Sequence, residues 1–192
     1  ESWDIWSEKR IARASEFIRM QAIHEMRRRT VKNILLAAFM VCAAAVAWAD
    51  PPKGYPFVDY NAGLKAAKES GKPILLYFGR YGCAWSDHTN KKTFSDAGLK
   101  ALYSDNYVLV YVDAESGKRV TLPSGERITE AELGTRLNAF ATPLFVYLTP
   151  QGEKIVQIPG FKTVQDFRDY DRYVRGGFYK KQTLLEFLGS KS

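Results

Sequence analysis

Cysteine and histidine are the scarcest reactive residues of this chain, with two of each among 192 residues. Cys42 lies within a predicted signal peptide, described below, that would be cleaved after Ala49. The mature chain would then retain only Cys83 and could form no internal disulfide. No second His, Cys or paired carboxylate accompanies His88 at a spacing typical of metal ligands. We therefore expect His88 to be a solvated helix residue, and we expect the protein to use no metal or other cofactor.

Concentrated charge and repeated sequence are also missing. The formal net charge is +7, but the 143 residues after Ala49 carry only 20 basic and 16 acidic side chains. These charges form no basic stripe interleaved with aromatics, which argues against nucleic-acid binding.

Gly176 and Gly177 follow a predicted helix rather than a strand, which excludes a phosphate-binding loop. No internal repeat or low-complexity segment occurs, so one globular domain of ordinary composition is expected.

The one long apolar run, Ile34 to Trp48, follows three arginines and a lysine and ends at small residues. This pattern predicts a signal peptide over residues 26–49, with export to the periplasm. An uncleaved membrane anchor and a lipoprotein acylated at Cys42 are the alternatives. The run is short for a membrane span, and Phe39-Met40-Val41, directly before Cys42, lacks the small residues usual in a lipoprotein signal. Residues 1–25 are expected to be an upstream extension, unstructured or not native, although their spacing also fits an amphipathic helix.

Residues 50–192 alternate helical and strand patterns. An unbroken apolar run, PILLYFG, predicts a strand covered on both faces, and a second such strand is YVLVYVDA. The polar stretch from Glu115 predicts a loop or hairpin, and Thr129 with Glu132 predicts a helix-starting capping box. The predicted order is helix, strand, helix, strand, helix, strand, strand, helix. This order indicates an α/β fold with a mixed central sheet and helices on both faces.

Several of these segments together resemble thioredoxin. They are the strand ending at Gly79, the turn that places Cys83 at a helix start, the Thr142-Pro143 step before a strand, and the hairpin PQGEKIVQIPGF. The spacing around YFGRYGC and the tail YDRYVRGGFYKKQTLLEFL more narrowly resemble the secreted SoxW-like thioredoxins of bacterial sulfur-oxidation systems. The resemblance covers nearly all of residues 57–189, and it implies a thioredoxin fold.

The chain departs from that family's pattern at two positions. Members usually carry C-x-x-C, whereas here Cys83 is followed by Ala84, Trp85 and Ser86, so the resolving cysteine is replaced. The family's buried acid, six residues before the first cysteine, corresponds to Tyr77. Ser86 is either the native residue of a one-thiol protein or an engineered replacement that traps the substrate.

Cys83 is the candidate nucleophile because thiolates attack disulfides and a helix start stabilises a thiolate. The resemblance implies that the Thr142-Pro143 bond is cis and that the backbone of Thr142 pairs with an extended substrate. Trp85, beside Ala84, would offer the substrate an apolar contact, or it would belong to the core. Arg80 would either add positive potential near the sulfur or simply be solvent-exposed.

These expectations describe an exported thiol-disulfide oxidoreductase. Cys83 would attack a protein disulfide or sulfur adduct on a cysteine-containing periplasmic protein, and the resemblance suggests a carrier protein of sulfur oxidation. A second thiol must then release the product, because serine cannot. A membrane or periplasmic thiol reductase is therefore a candidate partner, and the protein is expected to be a monomer. The alternative is a non-catalytic thioredoxin-fold module that binds peptides.

Overall fold

The computed structural model describes residues 20–21, 24–28 and 51–190 of the chain. Contacts divide the chain into two units, Glu1–Val46 and Ala47–Ser192. In the first unit the described residues are helical. Nearly all of the predicted signal peptide, its cleavage position and Cys42 lie outside the described residues, so they stay predictions. Among the helices of the described residues, none is long and apolar enough to cross a membrane.

The second unit follows the predicted order of helices and strands, except that two helices rather than one connect the first strand to the second. The polar stretch from Glu115 forms a hairpin, and the C-terminal helical region is broken as predicted. The elements of this unit are α1 Tyr60–Ser70, β1 Ile74–Gly79, α2 Ala84–Lys92, α3 Ala97–Asn106, β2 Val108–Asp113, β3 Arg119–Thr121, β4 Arg127–Thr129, α4 Glu130–Arg136, β5 Leu144–Leu148, β6 Lys154–Pro159, α5 Val164–Arg175, a 3-10 turn Phe178–Lys180 and α6 Leu184–Gly189.

Four strands form the central sheet in the order β2-β1-β5-β6. Strands β1 and β2 are parallel, and β5 is antiparallel to both β1 and β6. The predicted mixed sheet and thioredoxin fold are therefore confirmed. All six residues of β1 are buried, as its apolar sequence without polar alternation predicts. The polar stretch from Glu115 contains the separate two-stranded sheet β3-β4.

The helix ends follow local sequence signals. Asp59 caps α1 by accepting a hydrogen bond from the N–H of Ala62, and the predicted capping box of Thr129 and Glu132 starts α4. Helix α4 ends at Arg136, several residues before the end of the predicted pattern. Helix α5 ends before Gly176, and Gly177 has a φ of +69°, which explains the predicted break.

The two faces of the sheet pack against different cores. Alternate β1 residues Leu75 and Tyr77 belong to a cluster rich in aromatic side chains, while Leu76 and Phe78 belong to a mainly aliphatic one. The aromatic cluster also contains Phe145, whose ring centroid lies 4.8 Å from that of Tyr77. The alternation follows from the period of two in a strand. It places Tyr77, near the end of β1, in the aromatic layer that supports the first turn of α2.

Replacing Thr129 with alanine is expected to lower the free energy of unfolding by about 1 kcal/mol, because the N–H of Glu132 would lose its capping acceptor. Thr135 of the same helix is the matched control, since its hydroxyl only donates to a carbonyl one turn earlier. Its alanine variant should change the stability by no more than about 0.5 kcal/mol. Urea denaturation of both variants measures the difference, and equal losses would contradict this role of Thr129.

Candidate active site

Cys83 lies at the junction between the sheet and helix α2. The chain leaves β1 at Gly79, turns at Gly82 with a φ of +68°, and reaches Cys83, which is the N-cap residue of α2. The left-handed φ favours glycine at position 82, because a β-carbon would be strained there. The cysteine side chain is partly exposed. A short turn therefore fixes the thiol at the positive end of a nine-residue helix.

The sulfur faces the loop before β5. Cys83 Sγ donates a hydrogen bond to the carbonyl oxygen of Thr142, with 3.2 Å between the two atoms. The Thr142-Pro143 peptide bond is cis, as the resemblance implies, and β5 begins at the next residue. Residues 59 positions apart in sequence thus meet at the sulfur.

Several groups around the thiol change its acidity. Burial raises the pKa of Cys83, but the hydroxyls of Ser86 and Thr142 and the backbone N–H groups of Ser86 and Trp85, which are placed to donate to the thiolate, together outweigh burial. The pKa falls from its ordinary value of 9.0 to about 7. At neutral pH a large fraction of Cys83 is therefore thiolate, the form that attacks disulfides.

The thiolate absorbance of the protein near 240 nm is expected to rise with pH through a midpoint at about 7, because deprotonation follows the lowered pKa of Cys83. Ser86→Ala should move this midpoint upward, since the thiolate loses a side-chain donor. Cys83→Ala should remove the transition altogether and serves as the blank. A midpoint near that of an ordinary thiol, or one unaffected by Ser86→Ala, would refute the proposed role of these donors.

Ser86 occupies the first turn of α2 and is only 6% exposed. Its hydroxyl oxygen is buried and makes no hydrogen bond in the structure. It nevertheless lies close enough to Cys83 to lower the thiol pKa, as a donor to the thiolate does. The Ser86 hydroxyl is therefore placed to donate to the Cys83 thiolate, although a serine cannot form a disulfide.

Tyr77, at the position of the family's buried acid, lies below this turn. Its hydroxyl donates to Asn90 Oδ1 at 2.9 Å and contacts the carbonyl oxygen of Ser86 at 3.4 Å. Burial raises the pKa of Tyr77 well above its ordinary value, and the charges of Cys83 and Asp87 act in the same direction. The phenol stays neutral at physiological pH, so this position supplies no carboxylate to accept a proton from the site.

Aromatic side chains cluster on helix α2 shortly after Cys83. Trp85 is 63% exposed, which places it at the surface rather than in the core. The ring of His88 contacts those of Trp85 and Phe161, with centroids 5.9 and 4.9 Å away. The N–H of Gly160 donates a hydrogen bond to the carbonyl oxygen of Pro143. Phe161, the next residue, is therefore held close to the cis Thr142-Pro143 step. Sequence reasoning missed Phe161, although its place at the end of the predicted hairpin was a usable signal.

Two further exposed aromatics lie close in sequence to the site. Phe140 is 80% exposed and precedes Thr142 by two residues, and Tyr81 lies in the turn before Cys83. Large exposed apolar side chains in one region often mark a surface that binds another molecule.

An open cleft of about 900 Å³ adjoins the turn at Cys83. Its lining includes Cys83, Ser86, Lys53, Arg80 and Lys91, and we call it the basic cleft. Arg80 thus faces the cavity next to the thiol, where it also forms an ion pair with Glu115 at 3.2 Å. Within the part of the chain that the structure describes, no group of three or more His, Cys, Asp or Glu side chains could hold a metal ion.

The structure brings together every residue predicted for the site. Cys83, Ala84, Trp85 and Ser86 form the N-cap and first turn of α2, and Cys83 contacts Thr142 of the cis Thr142-Pro143 step. His88 is exposed on α2, as predicted, and Asp87 pairs with Lys91 at 2.7 Å.

Comparison with known proteins identifies the family. Residues 60–175 match the thioredoxin-like domain family. A thioredoxin-fold protein from Helicobacter pylori is 22% identical, with a TM-score of 0.53 and coverage of 64% of this chain and 80% of that chain. A thioredoxin from Thermus thermophilus is 24% identical, with a TM-score of 0.52 and coverage of 62% and 86%. Curated protein sequences give no significant match. The chain belongs to the thioredoxin-like domain family.

Proposed function

We propose that this protein is a thiol-disulfide exchange protein with Cys83 as its nucleophile. The observation that carries the proposal is the placement of Cys83 Sγ, at the start of α2 and 3.2 Å from the carbonyl of Thr142 beside a cis-proline. The pKa of about 7 supports it, because the reactive thiolate is available at neutral pH. Membership of the thioredoxin-like family supports the same chemistry.

The first step is attack of the Cys83 thiolate on a substrate disulfide. A bond forms between Cys83 Sγ and one substrate sulfur, and the substrate's S–S bond breaks. The second substrate sulfur leaves as a thiolate and takes up a proton from solvent. Ser86 cannot displace the bound sulfur, so an outside thiol, or a second thiol of the substrate, completes the cycle.

The expected substrate is a cysteine-containing protein that presents an extended segment to the Thr142 loop. Trp85, Phe140 and Phe161 supply exposed or partly exposed aromatic surface near that loop. Because the sequence predicts a signal peptide and resembles SoxW-like thioredoxins, we place the reaction in the periplasm. The substrate would then be a carrier protein of sulfur oxidation or another periplasmic protein, and a thiol reductase would be the electron donor.

Isolation of a covalent intermediate tests the function. A disulfide-bonded model protein is incubated with the wild-type chain, quenched in acid and analysed by mass spectrometry. A mixed disulfide that maps to Cys83 is expected in wild-type protein and in Ser86→Ala, and it should be absent from Cys83→Ala. No adduct in either Cys83-containing protein, in the presence of folded chain, would overturn the proposal.

A non-catalytic peptide-binding module is the second candidate. The observation in its favour is the exposed aromatic surface beside a site that lacks a resolving cysteine. Such a module would bind a peptide and its disulfide-free analogue equally well, and Cys83→Ala would leave that binding unchanged. An exchange protein retains the disulfide-containing peptide covalently on dilution and releases it when a reducing agent is added.

A further inference from the structure

We propose that the basic cleft binds a small anionic thiol, which attacks Cys83 in the mixed disulfide and releases the protein substrate. The inference rests on the proposed function and supplies the thiol that Ser86 cannot. The cleft would act in the second half of the exchange cycle, the release of the substrate. The aromatic surface near Thr142 would act in the first half, the binding of the substrate.

The cleft and the proposed peptide-binding region at Thr142 and Pro143 meet at Cys83 but are lined by different residues. The cleft is lined by Cys83, Ala84 and Ser86, but its lining includes neither Trp85 nor Thr142 nor Pro143. A substrate segment bound along the Thr142 loop would therefore not need to occupy the cleft. Its volume of about 900 Å³ exceeds that of a small organic thiol several times over. Two sulfur compounds can thus approach Cys83 from different directions.

The Ser86 hydroxyl is an unused donor on the wall of this cleft. The side chain is buried, its oxygen makes no hydrogen bond in the structure, and it lies near the sulfur of Cys83. Once Cys83 is part of a mixed disulfide, it no longer carries a negative charge that needs this donor. The hydroxyl can then donate to an incoming thiolate, which is the stronger kind of hydrogen bond because its acceptor is ionised.

The charged groups of the cleft favour an anion. Lys53, Arg80 and Lys91 supply three positive charges, against two carboxylates, Asp87 in the lining and Glu115 paired with Arg80, so one positive charge is in excess. Arg80 and Lys91 have carboxylate partners, whereas Lys53 has no ion pair among the described residues. A thiol that carries a carboxylate or sulfonate in addition to its sulfur would therefore be concentrated near Cys83. Phe94 and Tyr111 supply apolar wall for its carbon chain.

The chemistry balances with two equivalents of this thiol. The first thiolate attacks Cys83 Sγ, forms a disulfide with it, and breaks the bond to the substrate, which leaves as a thiolate. The second attacks the small thiol's own sulfur in that new disulfide, and Cys83 leaves as a thiolate. The small thiol is oxidised to its disulfide, and the protein disulfide that entered the cycle is reduced.

The test measures how fast thiols of different charge release a fluorescent peptide from a preformed mixed disulfide with Cys83. The probes are 2-mercaptoethanesulfonate, 2-mercaptoethanol and cysteamine, which carry a negative, a zero and a positive charge, compared at equal thiolate concentration. We expect the ratio of the sulfonate rate to the cysteamine rate to fall about tenfold in Lys53→Glu, because the variant reverses a charge of the cleft. The wild-type ratio should also fall as salt is added.

Lys154→Glu is the matched control. Lys154 pairs with Leu148 and Leu148 with Ile74, which places it at the end of the sheet opposite to Gly79 and Cys83. The control should retain the wild-type ratio. An unchanged ratio in Lys53→Glu, or an equal fall in Lys154→Glu, would overturn the inference. Failure of Cys83 to attack the peptide disulfide at all would instead overturn the proposed function, so the two failures are distinguishable.

Discussion

Ser86→Cys is expected to convert stoichiometric capture of a substrate into its rapid release. A thiol at position 86 would lie in the first turn of α2, next to Cys83, and would attack the mixed disulfide within the same molecule. Well-oriented intramolecular reactions have effective molarities of about 10⁵ M or more. Against a millimolar outside thiol, release should therefore accelerate by at least about a thousandfold, even with imperfect alignment.

Rapid-quench mass spectrometry of single turnovers measures this effect. Wild-type protein and the Ser86→Ala control should accumulate the mixed disulfide until a thiol is added. Ser86→Cys should instead yield free reduced substrate and a protein lighter by two hydrogens, in which Cys83 is joined by a disulfide to the thiol introduced at position 86. Accumulation of a stable adduct in this variant would show that position 86 cannot reach the bound sulfur.

Phe145→Ala is expected to lower the free energy of unfolding by about 3–5 kcal/mol, because it would leave a cavity in the aromatic core. Phe145 is 0% exposed. Its ring lies 4.8 Å from Tyr77 and 4.9 Å from Phe167, measured between centroids. These contacts join β5, which follows the cis-proline, to β1 and α5. The same change should therefore weaken the packing of Tyr77, whose hydroxyl contacts the carbonyl oxygen of Ser86 in the first turn of α2.

Chemical denaturation of Phe145→Ala and Phe140→Ala isolates the effect of burial. Phe140 is 80% exposed, so its alanine variant should alter the stability by no more than about 0.5 kcal/mol. Similar losses in both variants would show that Phe145 does not fill the core as described.

Much of the fold was predictable because its signals are local. The apolar run of β1 predicts a strand covered on both faces, and all six of its residues are buried. Thr129 and Glu132 predict the start of α4, since a capping box needs only residues three apart. The end of α4 at Arg136 was not predictable in the same way. Asn138 has a φ of +55°, and no glycine marks that break in the sequence.

The candidate site was predictable only in part. Cys83 and Ser86 are neighbours in sequence, but the contact between Cys83 and Thr142 depends on how β1 and β5 pair, and it was expected from the family resemblance alone. The hydrogen bond between Tyr77 and Asn90 and the position of Phe161 depend on packing between distant segments. Long-range contacts of this kind have no local pattern that would identify them.

The rate of mixed-disulfide formation against pH tests the central claim most directly. One equivalent of a small neutral disulfide is mixed with the protein between about pH 5 and pH 9.5, and the adduct at Cys83 is counted by intact mass. Because the thiolate is the attacking form, the rate should rise through a midpoint at about 7 and then level off. One adduct per chain, absent from Cys83→Ala, is the predicted result. A rate that keeps rising towards pH 9 and beyond, or no adduct at Cys83, would contradict the assignment of Cys83 as an activated nucleophile.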